Sequence, residues 1–187
     1  MKTIIIVSLL GLYCLGQGEA LLPMNSFLIE MKSVDVATSN ADLLNLIDFG
    51  VNRVERGLFG MSGKIILNFD VVEGDSNEVE MKVFYSANGK GNYGMTPIHL
   101  GRQHVFNILN TIYKDGAMEN LKDCSNLPQF KDKFDPPLVK DTYYMDKCQF
   151  KDDGFPNHAY EGFYKMAIIG YGVVDWKVDL VFKLEID

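Results

Sequence analysis

The chain is poor in the residues from which most catalytic and metal sites are built: 187 residues hold three cysteines, three histidines and one tryptophan. His99, His104 and His158 are the side chains able to work unperturbed as acid or base near neutral pH. None lies beside a serine elbow or a partnering cysteine. No cysteine belongs to a cluster with metal-ligand spacing. Asp152 and Asp153 are adjacent, but in an Asp-Asp-Gly turn such carboxylates cap backbone amides in water. No enzyme activity, cofactor or metal is expected. Positive charge is also short, with 18 Lys and Arg against 25 Asp and Glu and a net charge of -7. Nucleic acid and anionic membrane surfaces recruit Lys and Arg, so neither is an expected partner. There is no Asn-x-Ser/Thr sequon, so no N-linked glycan is expected.

The first 20 residues read as a secretory signal peptide. Lys2 supplies the positive start, Ile4 to Leu15 an apolar run too short for a bilayer span, and Gly18-Glu19-Ala20 the small residues of a cleavage site. No stop-transfer pattern follows. Residues 21–187 are then one secreted domain, long enough for a real core and short for two.

Secretion shapes the reading of the cysteines. Cys14 leaves with the leader, and Cys124 and Cys148 remain as an even pair in an oxidising compartment. A structural disulfide between them is the expectation, with a stabilisation of about 3 kcal/mol in the loop-entropy account. A metal pair, a catalytic thiol and a bond to a second chain are the competing readings.

Strand signals dominate. Phe27, Ile29 and Met31 alternate with polar residues, and the alternation resumes one step out of phase at Val34 and Val36. From Val51 to Val72 the pattern is strand, Gly-rich kink at Gly60 and Gly63, strand. A turn at 73–77 and the run Val79, Met81, Val83, Tyr85 suggest a hairpin with the preceding strand. Thr96 as N-cap and Pro97 as first helical residue predict a helix over about 97–115 that Gly116 ends, with Val105, Ile108, Leu109 and Ile112 as its apolar stripe. His104, Asn107, Asn110, Thr111 and Lys114 are expected to point away from that stripe. Tyr143 to Cys148 reads as a strand, and 152–156 as a turn. The closing pair is the clearest: Trp176, Val178, Leu180, Phe182, Leu184 and Ile186 alternate with mostly charged residues, opposite an apolar run from Gly162 to Tyr171. The fold class is mainly β, a single antiparallel β-sandwich or β-cup with one covering helix and one disulfide.

Several motifs in the last third carry a resemblance. Lys122-Asp123-Cys124-Ser125-Asn126-Leu127-Pro128-Gln129-Phe130, Phe134-Asp135-Pro136-Pro137-Leu138, Asp146-Lys147-Cys148-Gln149-Phe150, Asp153-Gly154-Phe155-Pro156 and the tail from Glu161-Gly162-Phe163-Tyr164-Lys165 to Asp175-Trp176 closely resemble the insect CheB proteins. The first two thirds agree in layout with fewer diagnostic residues. The resemblance implies a small secreted protein of chemosensory hairs, bathed in sensillar lymph and linked to taste and contact-pheromone detection. It also implies a fold related to the ganglioside activator protein, a β-cup that holds lipid. That relative uses several disulfides, whereas only Cys124 and Cys148 match here.

A cup whose dry inner face is not filled by its own side chains takes a lipid or other hydrophobic small molecule by shape and apolar burial. Phe69, Phe84, Phe106, Phe163, Trp176 and Phe182 are the large residues expected near such a cavity, although aromatic side chains dominate cores whatever the function. The other reading is a co-receptor or protein-docking module without a cavity. It would use the charged face of the last strand with Tyr143, Tyr144 and Phe155 against a chemosensory receptor or channel. A filled interior favours docking and an open one favours carriage. A monomer is expected in either case.

Overall fold

The structure, a computed structural model, describes residues 27–149 and 159–186. The leader, the 152–156 turn, Phe155 and His158 lie outside the described residues. Among the described residues, eight strands form two antiparallel sheets: β1 (Phe27–Thr38), β2 (Leu44–Glu55), β3 (Leu58–Leu67), β4 (Glu78–Ser86), β5 (Gly94–His104), β6 (Asp141–Cys148), β7 (Gly162–Tyr171) and β8 (Trp176–Ile186). The larger sheet has the order β1-β8-β7-β4-β5 and the smaller one β2-β3-β6. The sheets meet where β1 packs on β2 and β3. This is the expected mainly β two-sheet architecture with one disulfide.

The alternating patterns fold as their period requires. β8 pairs with β7 from Leu184↔Gly162 to Trp176↔Gly170, placing Leu180, Phe182 and Leu184 in the interior. The phase change in β1 is a register shift between Met31 and Ser33, so that apolar side chains on both sides of the irregularity face inward. Glycine permits two close approaches. A Cβ on Gly60 would lie 2.3 Å from the Lys147 carbonyl oxygen, and one on Gly170 would lie 2.0 Å from the Trp176 ring.

Two expectations are corrected. β3 and β4 do not form a hairpin: β3 pairs with β2 and β6, whereas β4 pairs with β5 and β7. The 73–77 turn carries the chain from one sheet to the other. Alternation fixes which side chains share a face but not which strand lies alongside. The helix also starts later than predicted. Thr96 and Pro97 belong to β5, an edge strand where the missing proline N–H is tolerated. The Thr96 hydroxyl donates to the Val83 carbonyl and accepts from the Ile98 amide, a local turn contact that mimics a helix cap in sequence.

The helix α1 comprises an α-turn Val105–Ile108, a π-helical stretch Leu109–Ala117 and a last α-turn Met118–Leu121, so it runs through Gly116. Its first turn touches β4 and β5 and its last turn touches β6, so it links the two sheets. The wider winding changes the buried face: Phe106 and Leu121 are buried, while Ile112, part of the predicted stripe, is exposed.

Side chains from both sheets meet in two buried clusters. The first contains Met31, Met61, Val83, Met145, Tyr164, Leu180, Phe182 and Leu184. The second, beneath the start of α1, contains Leu44, Leu67, Val71, Phe106, Phe134, Tyr143 and Val174. Leu127 packs against both.

Candidate functional site

The junction between β5 and α1 is built around His104. The Phe106 amide donates to His104 Nδ1 at 3.3 Å, which makes His104 the side-chain cap of the helix. With Nδ1 accepting, the proton lies on Nε2, which donates to the Asp75 carbonyl at 3.0 Å. The Val105 amide donates to the Asn77 carbonyl at 3.0 Å, so the crossover turn and the helix start hold one another. Asp75 Oδ2 in turn accepts from the Val72 amide at 2.8 Å.

The loop after α1 folds back over this junction. Asn110, expected to point away, instead faces the loop: its Oδ1 accepts from the Phe134 amide at 2.6 Å and its Nδ2 donates to the Phe106 carbonyl at 2.8 Å. Lys114 Nζ donates to the Asp132 carbonyl at 2.6 Å and the Tyr113 hydroxyl to the Pro128 carbonyl at 2.7 Å. Burial pushes the Tyr113 phenol up to about 12. These contacts bring Phe134 onto Phe106, with ring centroids 5.6 Å apart in a stacked arrangement, and Phe130 edge-on to Phe134 at 5.5 Å.

Above this stack lies a cleft of about 170 Å³. Phe106, Phe134 and Pro136 form its apolar lining, and Glu73, His104, Asn107 and Lys133 its polar side. His104 and Asn110 are committed to structural hydrogen bonds, whereas Asn107 and Lys133 are exposed on the rim.

The six aromatic residues chosen from sequence divide into three groups. Phe106 floors the cleft, and Phe69 and Trp176 pack against the same cluster. Phe182 is buried in the first cluster, stacked on Tyr164 at 5.7 Å. Phe84 and Phe163 alternate with the inward Val83, Tyr85 and Tyr164 and therefore lie on the outer side of the larger sheet. There Lys165 Nζ sits 5.0 Å from the Phe84 ring centroid, and Phe163 packs under Gly89. Phe130 and Phe134 were not singled out as site residues in the sequence. The sequence signal that could have found their partner is Asn110, a weak helix former in the middle of a helix.

The outer face of the larger sheet is internally paired. Glu30 with Lys32, Glu80 with Lys82, Lys177 with Asp179 and Lys183 with Glu185 are ion pairs along single strands. Such partly exposed pairs contribute little to stability. Of the proposed docking residues, Tyr143 is buried, with its hydroxyl on the Val139 carbonyl, and Tyr144 is exposed.

The disulfide closes the far end of the helical region. Cys124 and Cys148 are bonded at 2.08 Å, joining the segment after α1 to the end of β6. Among the described residues, no group of three His, Cys, Asp or Glu side chains could hold a metal ion, and no helix is long and apolar enough to cross a membrane. No curated protein matches the chain. A family model described as "Protein of unknown function (DUF1091)" matches residues 79–166, a span from β4 into β7 that includes α1, the Phe134 loop and both bonded cysteines.

Proposed function

We propose that the protein is a secreted chemosensory binding protein. It takes up an apolar ligand, such as a lipid, a cuticular hydrocarbon or a contact pheromone, and presents or buffers it near a receptor or channel of gustatory sensilla. The chemosensory setting rests on the resemblance to the CheB proteins. The observation that carries the binding reading is the Phe106–Phe134 stack, which is at once the floor of a solvent-open cleft and part of the aromatic cluster containing Phe69 and Trp176.

A cleft of 170 Å³ is smaller than the about 300–1,000 Å³ of pockets that enclose a whole small ligand. The cleft stops at Phe106 and Phe134, and the cluster beneath α1 is packed and buried, so a long chain enters it only if these side chains move aside; without that movement the filled interior favours docking. Burial at about 25 cal/mol per Å² gives an alkyl chain several kcal/mol without a charged anchor. The rim carries one acid, Glu73, and one base, Lys133, which suits an uncharged polar head group over a net ion.

Trp176 is the single tryptophan, so its emission reports on this cluster directly. Hexadecanol delivered from cyclodextrin is expected to change that emission saturably. Asn107→Phe, which fills the cleft from an exposed position, should weaken the uptake by about tenfold or more at unchanged melting temperature. An emission that stays constant throughout the titration, with no alcohol co-migrating with the protein, would count against the reading.

A further inference from the structure

We propose that His104 is a proton-operated latch on the cleft: the neutral ring caps α1 and holds Phe106 against Phe134, and the protonated ring releases the Phe106 amide and turns to the Asp75 carboxylate. This goes beyond the ligand reading and does not depend on it. Two backbone partners fix the form of the ring. An amide can only donate and a carbonyl can only accept, so the Phe106 amide 3.3 Å from Nδ1 and the Asp75 carbonyl 3.0 Å from Nε2 select one neutral tautomer. A second proton, placed on Nδ1, sets an N–H against the Phe106 N–H, and the cap is lost. The ring lines the cleft and is half-buried, so solvent protons reach it.

The second position is prepared as well. Asp75 Oδ2 accepts from the Val72 amide, whereas Asp75 Oδ1 is buried and, among the described residues, accepts no hydrogen bond. Such an oxygen is costly to leave without a donor, and it belongs to the residue whose carbonyl already holds the ring. The other charged groups around His104 come from each neighbouring element. Glu73 of the crossover turn and Lys133 of the loop after α1 line the same cleft. Glu78 of β4 is its partner in register, but the Arg102 side chain of β5 lies 3.5 Å from that carboxylate and stacks on Tyr171 of β7. The first turn of α1 carries no charged side chain. Asp75 is thus the carboxylate with a buried oxygen open to the imidazolium. Release of the cap reaches the cleft floor directly, because the Phe106 ring lies between those of His104, at 5.0 Å, and Phe134, at 5.6 Å. The Val105 amide stays on the Asn77 carbonyl, so the helix remains attached while its first turn loosens.

The test is NMR of the intact disulfide-bonded protein with labelled imidazole nitrogens, without ligand, from about pH 8 to about pH 5, the range in which histidines change charge. At the upper end His104 should show the tautomer protonated at Nε2. Its protonation should speed exchange of the Phe106 amide about fivefold after correction for the intrinsic effect of pH, weaken the ring-to-ring contact of Phe106 and Phe134, and leave exchange in β8 unchanged. His104→Asn supplies a cap that does not titrate, so the Phe106 amide should then be equally protected at both ends. His99, exposed on β5 with Nδ1 at 2.9 Å from the Pro97 carbonyl, is the internal control that titrates in both proteins. Asp75→Asn removes the charge offered to the imidazolium and should move the midpoint of the His104 titration to lower pH. A Phe106 amide equally protected at both ends in the wild type, or a rise in exchange that persists in His104→Asn, overturns the latch. A midpoint unmoved by Asp75→Asn overturns the turn toward that carboxylate.

Discussion

His104 shows how one side chain fixes the geometry of the cleft. Its ring caps the helix through Nδ1, ties down the crossover turn through Nε2, and lies 5.0 Å from the Phe106 ring. Loss of a side-chain cap costs about 1 kcal/mol, so His104→Ala should lower stability by about that amount in urea denaturation and expose the Phe106 amide to faster hydrogen exchange. Gly170 is constrained in a different way. The Trp176 ring occupies the space of a Cβ there, so Gly170→Ala must displace the indole and should destabilise by about 1–3 kcal/mol, with a shift of the single-tryptophan emission as the readout. Tyr113 gives a pH dependence of definite sign. Burial raises its phenol from the ordinary 10 to about 12, so the folded state favours the protonated form. The resulting stability is fully present below pH 10 and is lost as pH rises from 10 through about 12. Tyr113→Phe should flatten this alkaline decline, measured as denaturation midpoints across that range.

At the scale of elements, the exposed border of β6 is closed by its own disulfide-linked segment. The Asp146 amide donates to the Cys124 carbonyl at 2.8 Å. Asn126 Oδ1 accepts from the Tyr144 amide at 2.6 Å, and its Nδ2 donates to the Thr142 carbonyl at 2.9 Å. A side-chain amide thus supplies the hydrogen bonds that another strand would make, which protects the edge from pairing with a second chain. Reducing the Cys124–Cys148 bond should release this segment and lower stability by about 3 kcal/mol in the loop-entropy account. The pairing of α1 with the loop is separable from it. Asn110→Ala removes the bond to the Phe134 amide and should speed hydrogen exchange there, at a cost of about 1–3 kcal/mol, while leaving exchange in β8 unchanged.

At the scale of the whole molecule, the strands were legible in the sequence because one wet face and one dry face impose a period of two. That holds for β8 and even for the irregularity in β1. Which strands become neighbours was not legible, since the dry face of β3 suits either sheet. This is why the 73–77 turn reads as a hairpin and serves as a crossover. The helix start was hidden by Thr96-Pro97, whose cap-like order also suits an edge strand. For the candidate site, Phe69, Phe106 and Trp176 were legible as large apolar residues on patterned elements, and the structure gathers them in one cluster. Phe84 and Phe163 fall on the outer face: β7 is apolar on both sides, so Phe163 could not be placed by pattern, whereas Phe84 is in phase with Glu78, Glu80 and Lys82 and the alternation of β4 already put it on the polar side. Phe134 and its partner Asn110 come from separate segments, and only folding brings them together.

The central claim is that this sandwich carries an apolar molecule. Native mass spectrometry of the purified disulfide-bonded protein, followed by organic extraction and identification of what leaves with the solvent, tests it most directly. The account predicts a stoichiometric long-chain lipid or hydrocarbon that dissociates on extraction. A protein that is empty when purified, and stays empty when offered cuticular hydrocarbons and fatty esters, would contradict it and favour docking on a receptor through the outer surface.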